Sequence, residues 1–474
     1  MNNWFDHILF HTRAQPDSPA IVMEDRAVTY GMLGAAIERC ARRIAALNLH
    51  AGSLVAVQIS NPIRNLTLSL ALYRLGLRSI SLAHRQPGVE LASFAAVLGD
   101  RDAVRNAVNA PHVIEITEAA FGEDVAAPAG MPRGFAGAEE ICRVSLTSGS
   151  TGQPKSVELS VGNLGRNAME KFIGCLNTSR SGVLCMPGLT SNFGFSTACG
   201  ALIGGRPLYF AESPYQAIRM IELFSIDFVV AASEQLLALT RVARKSGVHL
   251  KSLHSVMTGG GVLTRALLEA AIIHVCRNII CRYGATEIGA IAQTSARDVL
   301  LSPGLAGRIL PGVEVGVFNA RGEPQDNNRA GTIHVRDAMI GSTAGAPAHW
   351  SDLGDIGWLT ADGCLYVLGR AVDMEAAGNS EPQLSPVHEI EHLFRLECDA
   401  ADAAAVLIED NGTSCIAIGV VDGVEASADK LAVVARQHGI EHPLRITALR
   451  SIPRGANGKI NRADLTALIR ASAA

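Results

Sequence analysis

Apolar residues at positions 33, 37, 41, 44 and 45 recur at helical spacing between charged ones, which predicts a helix over residues 29–47. Residues 54–59 then alternate as a strand, 62–75 return to the helical period behind Pro62, and 78–82 read as a strand again. The same rhythm returns further on, with helices predicted over 163–175, 215–224, 233–245 and 264–274 and strands over 183–186, 228–231, 255–258 and 278–283. Alternation of this kind argues for an α/β fold: doubly wound, largely parallel sheets with helices on both faces.

After about residue 304 the texture changes to short β-like runs at 313–318, 331–336 and 363–368, which predicts a β-rich subdomain. An irregular stretch at 371–385 follows. Beyond it lies a small α+β tail, with helices near 388–396 and 427–438 and strands near 404–408 and 415–421. The expected boundary therefore divides a large N-terminal domain, residues 1–370, from a C-terminal domain, residues 371–474.

A chain of 474 residues with 48% hydrophobic and 18% charged residues can bury more than one core. Its net charge of -4 offers no general basic surface for nucleic acid, so small molecules are the expected partners. The ten cysteines lack the paired spacing of a disulfide framework or zinc ribbon, as expected for a reducing, cytoplasmic protein. The start, Met1 to His7, lacks the basic and apolar regions of a signal peptide. No charge occurs between Arg180 and Arg206, yet Pro187 and several Gly, Ser, Thr and Asn residues interrupt that stretch, which predicts a buried βα segment and no membrane span.

The densest candidate chemistry is Ser145-Leu146-Thr147-Ser148-Gly149-Ser150-Thr151-Gly152-Gln153-Pro154-Lys155. Its glycines let backbone N–H groups converge on an anion, its hydroxyls add donors, and Lys155 adds positive charge, so it reads as a phosphate-holding loop more than as a plain surface turn. It is not a Walker A loop. Pro154 stands where the second glycine is needed, and proline has neither the N–H nor the freedom in φ that the cradle requires.

Four more signals follow in order: Thr258-Gly259-Gly260-Gly261; Tyr283-Gly284-Ala285-Thr286-Glu287; Leu353-Gly354-Asp355 with Gly369-Arg370; and Pro453-Arg454-Gly455-Ala456-Asn457-Gly458-Lys459-Ile460. Singly, Asp355 reads as an Asx-turn residue and Gly458-Lys459 as an exposed turn. In this order with the hydroxyl-rich loop, the chain resembles the adenylate-forming superfamily of acyl-CoA synthetases, adenylation domains of nonribosomal peptide synthesis, and beetle luciferases.

The resemblance implies a fold with a mobile C-terminal domain on a hinge, and a reaction in which a carboxylate attacks the α-phosphorus of ATP to give an acyl-adenylate and pyrophosphate. It implies that Thr147, Ser148, Gly149, Ser150, Thr151, Gly152 and Lys155 cover the β- and γ-phosphates, and that Gly260 and Gly261 let the adenine approach. Tyr283, beside Gly284, would stack on the adenine, Thr286 would bind phosphate, Glu287 would hold Mg²⁺, and Asp355 and Arg370 would bind the ribose. Lys459 would bridge the substrate carboxylate and the α-phosphate. Asp373 fits the family's hinge, whereas Ala376 stands where the family carries a lysine.

The acid pocket would be lined partly by residues 186–195, including Ser191, Asn192 and Phe193. That segment has no acid to meet an ammonium group, which favours a fatty, aryl or hydroxy acid over an α-amino acid. The expected protein is an ATP- and Mg²⁺-dependent ligase that passes the acyl group to CoA. The rivals are an adenylation enzyme that loads the phosphopantetheine of a carrier protein and a nucleotide-binding protein without turnover.

Two metal-like patterns compete with structural readings. His388-Glu389-Ile390-Glu391-His392 matches the zinc motif H-E-x-x-H but also the family's Glu-Ile-Glu helix start, where the acids are structural. His274, Cys276 and Cys281 lack a second pair of ligands and read as core around a buried strand.

Overall fold

The computed structural model describes residues 3–83, 93–101, 112–148, 154–337, 350–371, 386–410, 413–421, 428–454 and 460–472, apart from the single residues 129, 133, 175 and 399. The chain forms two compact units, one of residues 1–231, 251–254 and 286–289 and the other of residues 232–250, 255–285 and 290–474.

In the first unit, the helix Tyr30–Ala45 starts where the Thr29 side chain accepts from the Met32 N–H, and it buries Leu33, Ile37, Cys40, Ala41 and Ile44. The helix Pro62–Arg74 begins with proline at its first turn under an Asn61 cap. These helices accompany a six-stranded sheet in the order Val113–Glu115, Ala96–Gly99, Leu54–Gln58, Arg78–Ser81, Ile141–Ser148, Pro154–Ser160. Its strands are parallel except for the last pair, an antiparallel hairpin.

The other strands of this unit are Phe228–Ala232, Val183–Cys185, Leu208–Tyr209 and Pro19–Val22, all parallel, with Ala27–Thr29 antiparallel at the edge. The uncharged stretch before Arg206 forms the strand Val183–Cys185 and the buried helix Asn192–Ile203. Among the described residues no helix is long and apolar enough to cross a membrane.

The second unit pairs Ser255–Gly259 in parallel with Ile279–Ala285. An antiparallel series follows, in which Leu305–Ile309 pairs with both Gly289–Ser295 and Cys364–Arg370, and the ladder continues through Ser351–Leu359 and Gly331–Asp337 to Val313–Phe318. A separate three-stranded sheet consists of Asp402–Asp410, Thr413–Val421 and Leu444–Ala448. Alternation along its strands serves two cores. Ala403, Ala405, Ile416 and Ile418 meet the helices Pro386–Glu397 and Ala428–Gln437, while Ala404, Val406 and Ala417 meet Leu465 and Ile469 of the helix Arg462–Ala471.

The H-E-x-x-H residues join these pieces. Glu389 accepts from the N–H groups of Arg265 and Ala266 at the start of the helix Arg265–His274, and His392 Nδ1 lies 2.7 Å from Thr264 Oγ1. Buried Glu391 accepts from the Ala405 N–H and from Arg462 Nη1, each at 2.8 Å. The acids of the motif are structural in this unit, and among the described residues no group of three or more His, Cys, Asp or Glu could hold a metal ion.

Burial alone would raise the Glu391 carboxyl, but the Arg462 charge and the His388 contact hold it well below the ordinary 4.5. A lowered folded value means that the group's stabilisation is fully present above 4.5 and is lost as pH falls toward the folded value. Glu391→Gln leaves Arg462 without its carboxylate and costs about 3 kcal/mol at pH 7. The thermal-melt difference from wild type narrows as pH drops below 4.5; a difference independent of pH would contradict this assignment.

Candidate active site

The hydroxyl-rich stretch is rooted in the hairpin of the first unit. Thr147 pairs with Lys155 and Ser148 with Pro154 in the antiparallel ladder, while Gly149, Ser150, Thr151 and Gly152 lie outside the described residues. Lys155 is exposed, and its Nζ stands 3.9 Å from Glu287 Oε1. A pair this long, with the lysine so open to water, is worth little in stability and separates readily around another charge.

The turn that carries Glu287 is pinned through its backbone. The helix Val161–Gly174 presents Asn163, Arg166 and Asn167 at i, i+3 and i+4, on one face. Asn163 Nδ2 donates to the Glu287 carbonyl at 3.1 Å, Arg166 Nη2 to the Ile288 carbonyl at 2.5 Å, and Asn167 Nδ2 to Asn163 Oδ1 at 2.9 Å. Asn192 Nδ2 donates to the Thr286 carbonyl at 3.0 Å. Gly289 ends the turn at φ +95, where a Cβ would lie 2.1 Å from Asn167 Oδ1, so only glycine fits. Because the backbone carbonyls absorb these donors, the Glu287 carboxylate is left to face Lys155.

In the second unit the ladder sets Asp355 opposite Arg370. Arg370 Nε stands 3.1 Å from Asp355 Oδ1, and Arg370 Nη1 donates to the Leu353 carbonyl at 2.7 Å. The Tyr283 hydroxyl, at the end of the strand Ile279–Ala285, donates to Asp355 Oδ2 at 2.6 Å. Burial, reinforced by the Asp355 charge, raises this phenol far above its ordinary value, so it remains a protonated donor. Gly260 turns at φ +74, and a Cβ on Gly261 would lie 2.1 Å from Ser233 Oγ, which keeps the backbone after Ser255–Gly259 bare.

The acid-side residues open the helix Asn192–Ile203. Ser191 caps it by accepting from the Gly194 N–H, Asn192 is buried, and Phe193 is half-buried with Lys171 Nζ 5.8 Å from its ring centre. The preceding residues, Met186 to Thr190, line a cleft of about 320 Å³ together with Cys185, Asn65, Leu82 and Phe210. The Cys185 thiol leans on the Pro187 and Gly194 carbonyls, and burial pushes it up to about 12, as it does the Cys199 thiol. His274 ends its helix, while Cys276 and Cys281 are buried core. Asp373 and Lys459 lie outside the described residues.

A family model for AMP-binding enzymes matches residues 10–343. The chain belongs to this family. AMP-binding enzymes of this kind activate a carboxylic acid as its adenylate with ATP and pass the acyl group to a thiol. The 2-succinylbenzoate–CoA ligase of Listeria monocytogenes serotype 4b (strain F2365) is 25% identical over 484 residues, covering 98% of this chain and 99% of the relative. The indoleacetate–CoA ligase of Aromatoleum aromaticum is 25% identical over 525 residues, covering 99% and 98%. The fold resembles O-succinylbenzoate coenzyme A synthetase from Bacillus subtilis in complex with ATP and magnesium ion, with a TM-score of 0.79, 21% identity and coverage of 98% and 99%. The expected α/β architecture of an adenylate-forming enzyme is thus borne out.

Proposed function

We propose that this AMP-binding enzyme joins an aryl carboxylic acid to CoA. The observation that carries the reading is the pinned turn at Thr286 and Glu287, which holds a carboxylate beside Lys155 without using the carboxylate to hold the turn. Such an arrangement suits a Mg²⁺-bound triphosphate. Glu287 holds the cation, Lys155 and residues 147–152 take the β- and γ-phosphates, and Thr286 takes a phosphate oxygen. Bound there, Mg²⁺ offsets the charge that gathers on the phosphates.

Asp355 and Arg370 bind the ribose and Tyr283, beside Gly284, stacks on the adenine, with Gly260 and Gly261 allowing its approach. One acid oxygen attacks the α-phosphorus as pyrophosphate leaves, and Lys459 stabilises the charge that passes between them. The CoA thiolate then attacks the acyl carbon and AMP departs. Residues 371–474 act as the mobile domain, with Asp373 at its hinge, and the enzyme works in the cytoplasm. The uncharged acid-side segment with Ser191, Asn192 and Phe193 supports an aryl acid, as do relatives named for succinylbenzoate and indoleacetate.

The test is acid-dependent exchange of labelled pyrophosphate into ATP over aryl, fatty and α-amino acids, followed by mass analysis of the CoA product. Exchange with aryl acids and an aryl-CoA product are expected. No exchange with any acid would leave a nucleotide-binding protein without turnover, and thioester formation only on carrier proteins would replace CoA as acceptor.

A further inference from the structure

Arg143 lies in the middle of the strand Ile141–Ser148 and is 1% exposed. Among the described residues no carboxylate pairs with it. Its Nη1 donates to Ser79 Oγ at 3.3 Å, and its Nη2 donates to Ser81 Oγ at 3.0 Å and to the Leu189 carbonyl at 2.6 Å. The guanidinium lies 3.6 Å from the centre of the Phe195 ring, and its Nε has no partner. Burial draws it down to about 10, which leaves it charged at neutral pH.

A buried cation met only by neutral acceptors and one ring is a poor way to stabilise a sheet. An apolar side chain of similar volume would avoid the desolvation cost and the orphaned Nε. What an apolar side chain could not do is hold the Leu189 carbonyl and the Phe195 ring at once. These two groups bracket the turn that carries Ser191 and Asn192. Asn192 in turn holds the Thr286 carbonyl next to Glu287, and four residues along its own strand Arg143 is followed by Thr147 at the root of the phosphate hairpin.

We infer that Arg143 is a positioning residue for the acid: from beneath the cleft it fixes the wall at residues 187–195 relative to the strand that bears the phosphate hairpin. This rests on the ligase reading above. The residue touches neither acid nor nucleotide and acts through Leu189 and Phe195. Its loss lets the wall relax, so the acid is held less tightly and farther from the attack geometry, while the nucleotide contacts are spared.

The test compares Arg143→Met, Arg143→Lys and Cys142→Ala by exchange kinetics and thermal melts. Cys142 is the adjacent buried residue of the same strand, and its thiol donates to the Leu159 carbonyl of the neighbouring strand at 3.5 Å. Arg143→Met is expected to raise the acid KM at least 10-fold, to change the ATP KM less than about twofold, and to leave Tm unchanged or higher. Arg143→Lys keeps the charge and one donor and should recover part of the acid KM. Cys142→Ala should lower Tm with the acid KM unchanged.

Equal changes in the two KM values together with a fall in Tm, or no change in the acid KM, would overturn the assignment. Should Arg143→Met not fold, Phe195→Leu decides: a rise in acid KM of about threefold or more supports the role, and an unchanged value refutes it. Absence of exchange in the wild-type enzyme refutes the ligase reading itself, whereas wild-type exchange with an unaffected Arg143→Met refutes only the role of Arg143.

Discussion

Lys459→Ala abolishes acid-dependent pyrophosphate exchange, lowering it by about 10³-fold or more, while ATP still binds. In the attack of a carboxylate on the α-phosphorus, two anionic groups approach and a third departs. One lysine ammonium spanning the first two gains most of its interaction as their charges merge, so its effect falls on the rate more than on binding. The base of the segment that carries it is secured: Arg454 and Ile460 form an antiparallel bridge, and Arg454 Nη2 is 2.6 Å from Asp402 Oδ2. ATP affinity measured by calorimetry should change by less than about threefold, because the substitution leaves in place the Tyr283–Asp355–Arg370 cluster proposed above for the adenosine. Exchange at the wild-type rate would refute the role of Lys459.

Glu287→Gln has the second largest effect, an expected loss of about 100-fold in exchange at ordinary Mg²⁺, partly recovered by raising the cation concentration. The substitution keeps the shape of the side chain. The bonds that hold the turn go to the carbonyls of Thr286, Glu287 and Ile288, so Tm should remain that of the wild type. The variant therefore separates the charge from the scaffold. Exchange within about threefold of wild type, with the same Mg²⁺ dependence, would remove Glu287 as the cation's ligand.

Much of the architecture was legible because the physical signals were local. The helix expected over 29–47 runs Tyr30–Ala45, and its cap, Thr29, is a residue type that the pattern itself points to. The helix behind Pro62 and the strands near 183, 228 and 255 follow from the same periodicities. The H-E-x-x-H helix was legible as structural from its family context, and its acids do bond to neighbouring elements.

The hairpin at 141–160 was harder to read, since a stretch rich in hydroxyls and glycine looks like loop where the ladder in fact reaches Ser148 and Pro154. Asn163, Arg166 and Asn167 escaped notice for a different reason. Asn163 and Arg166 serve backbone carbonyls more than a hundred positions away and Asn167 supports Asn163, and their only local trace is a polar i, i+3, i+4 set on an otherwise ordinary helix. Arg143 is invisible in the same way: a lone charge in a strand ordinarily reads as facing water, and only the packing of Phe195 and Leu189 shows otherwise.

The raised thiols bear on how the enzyme survives its own chemistry. A mixed anhydride of acid and AMP will acylate any thiolate within reach, and Cys185 belongs to the wall of the cleft beside the acid-side turn. Burial pushes its thiol up to about 12, so at neutral pH it stays in the protonated, weakly nucleophilic form. A thiol kept protonated at that wall would be a poor target for self-acylation, a dead end that would consume ATP and disable the protein molecule by molecule. The intermediate can wait for an acceptor that arrives from solution already competent to ionise.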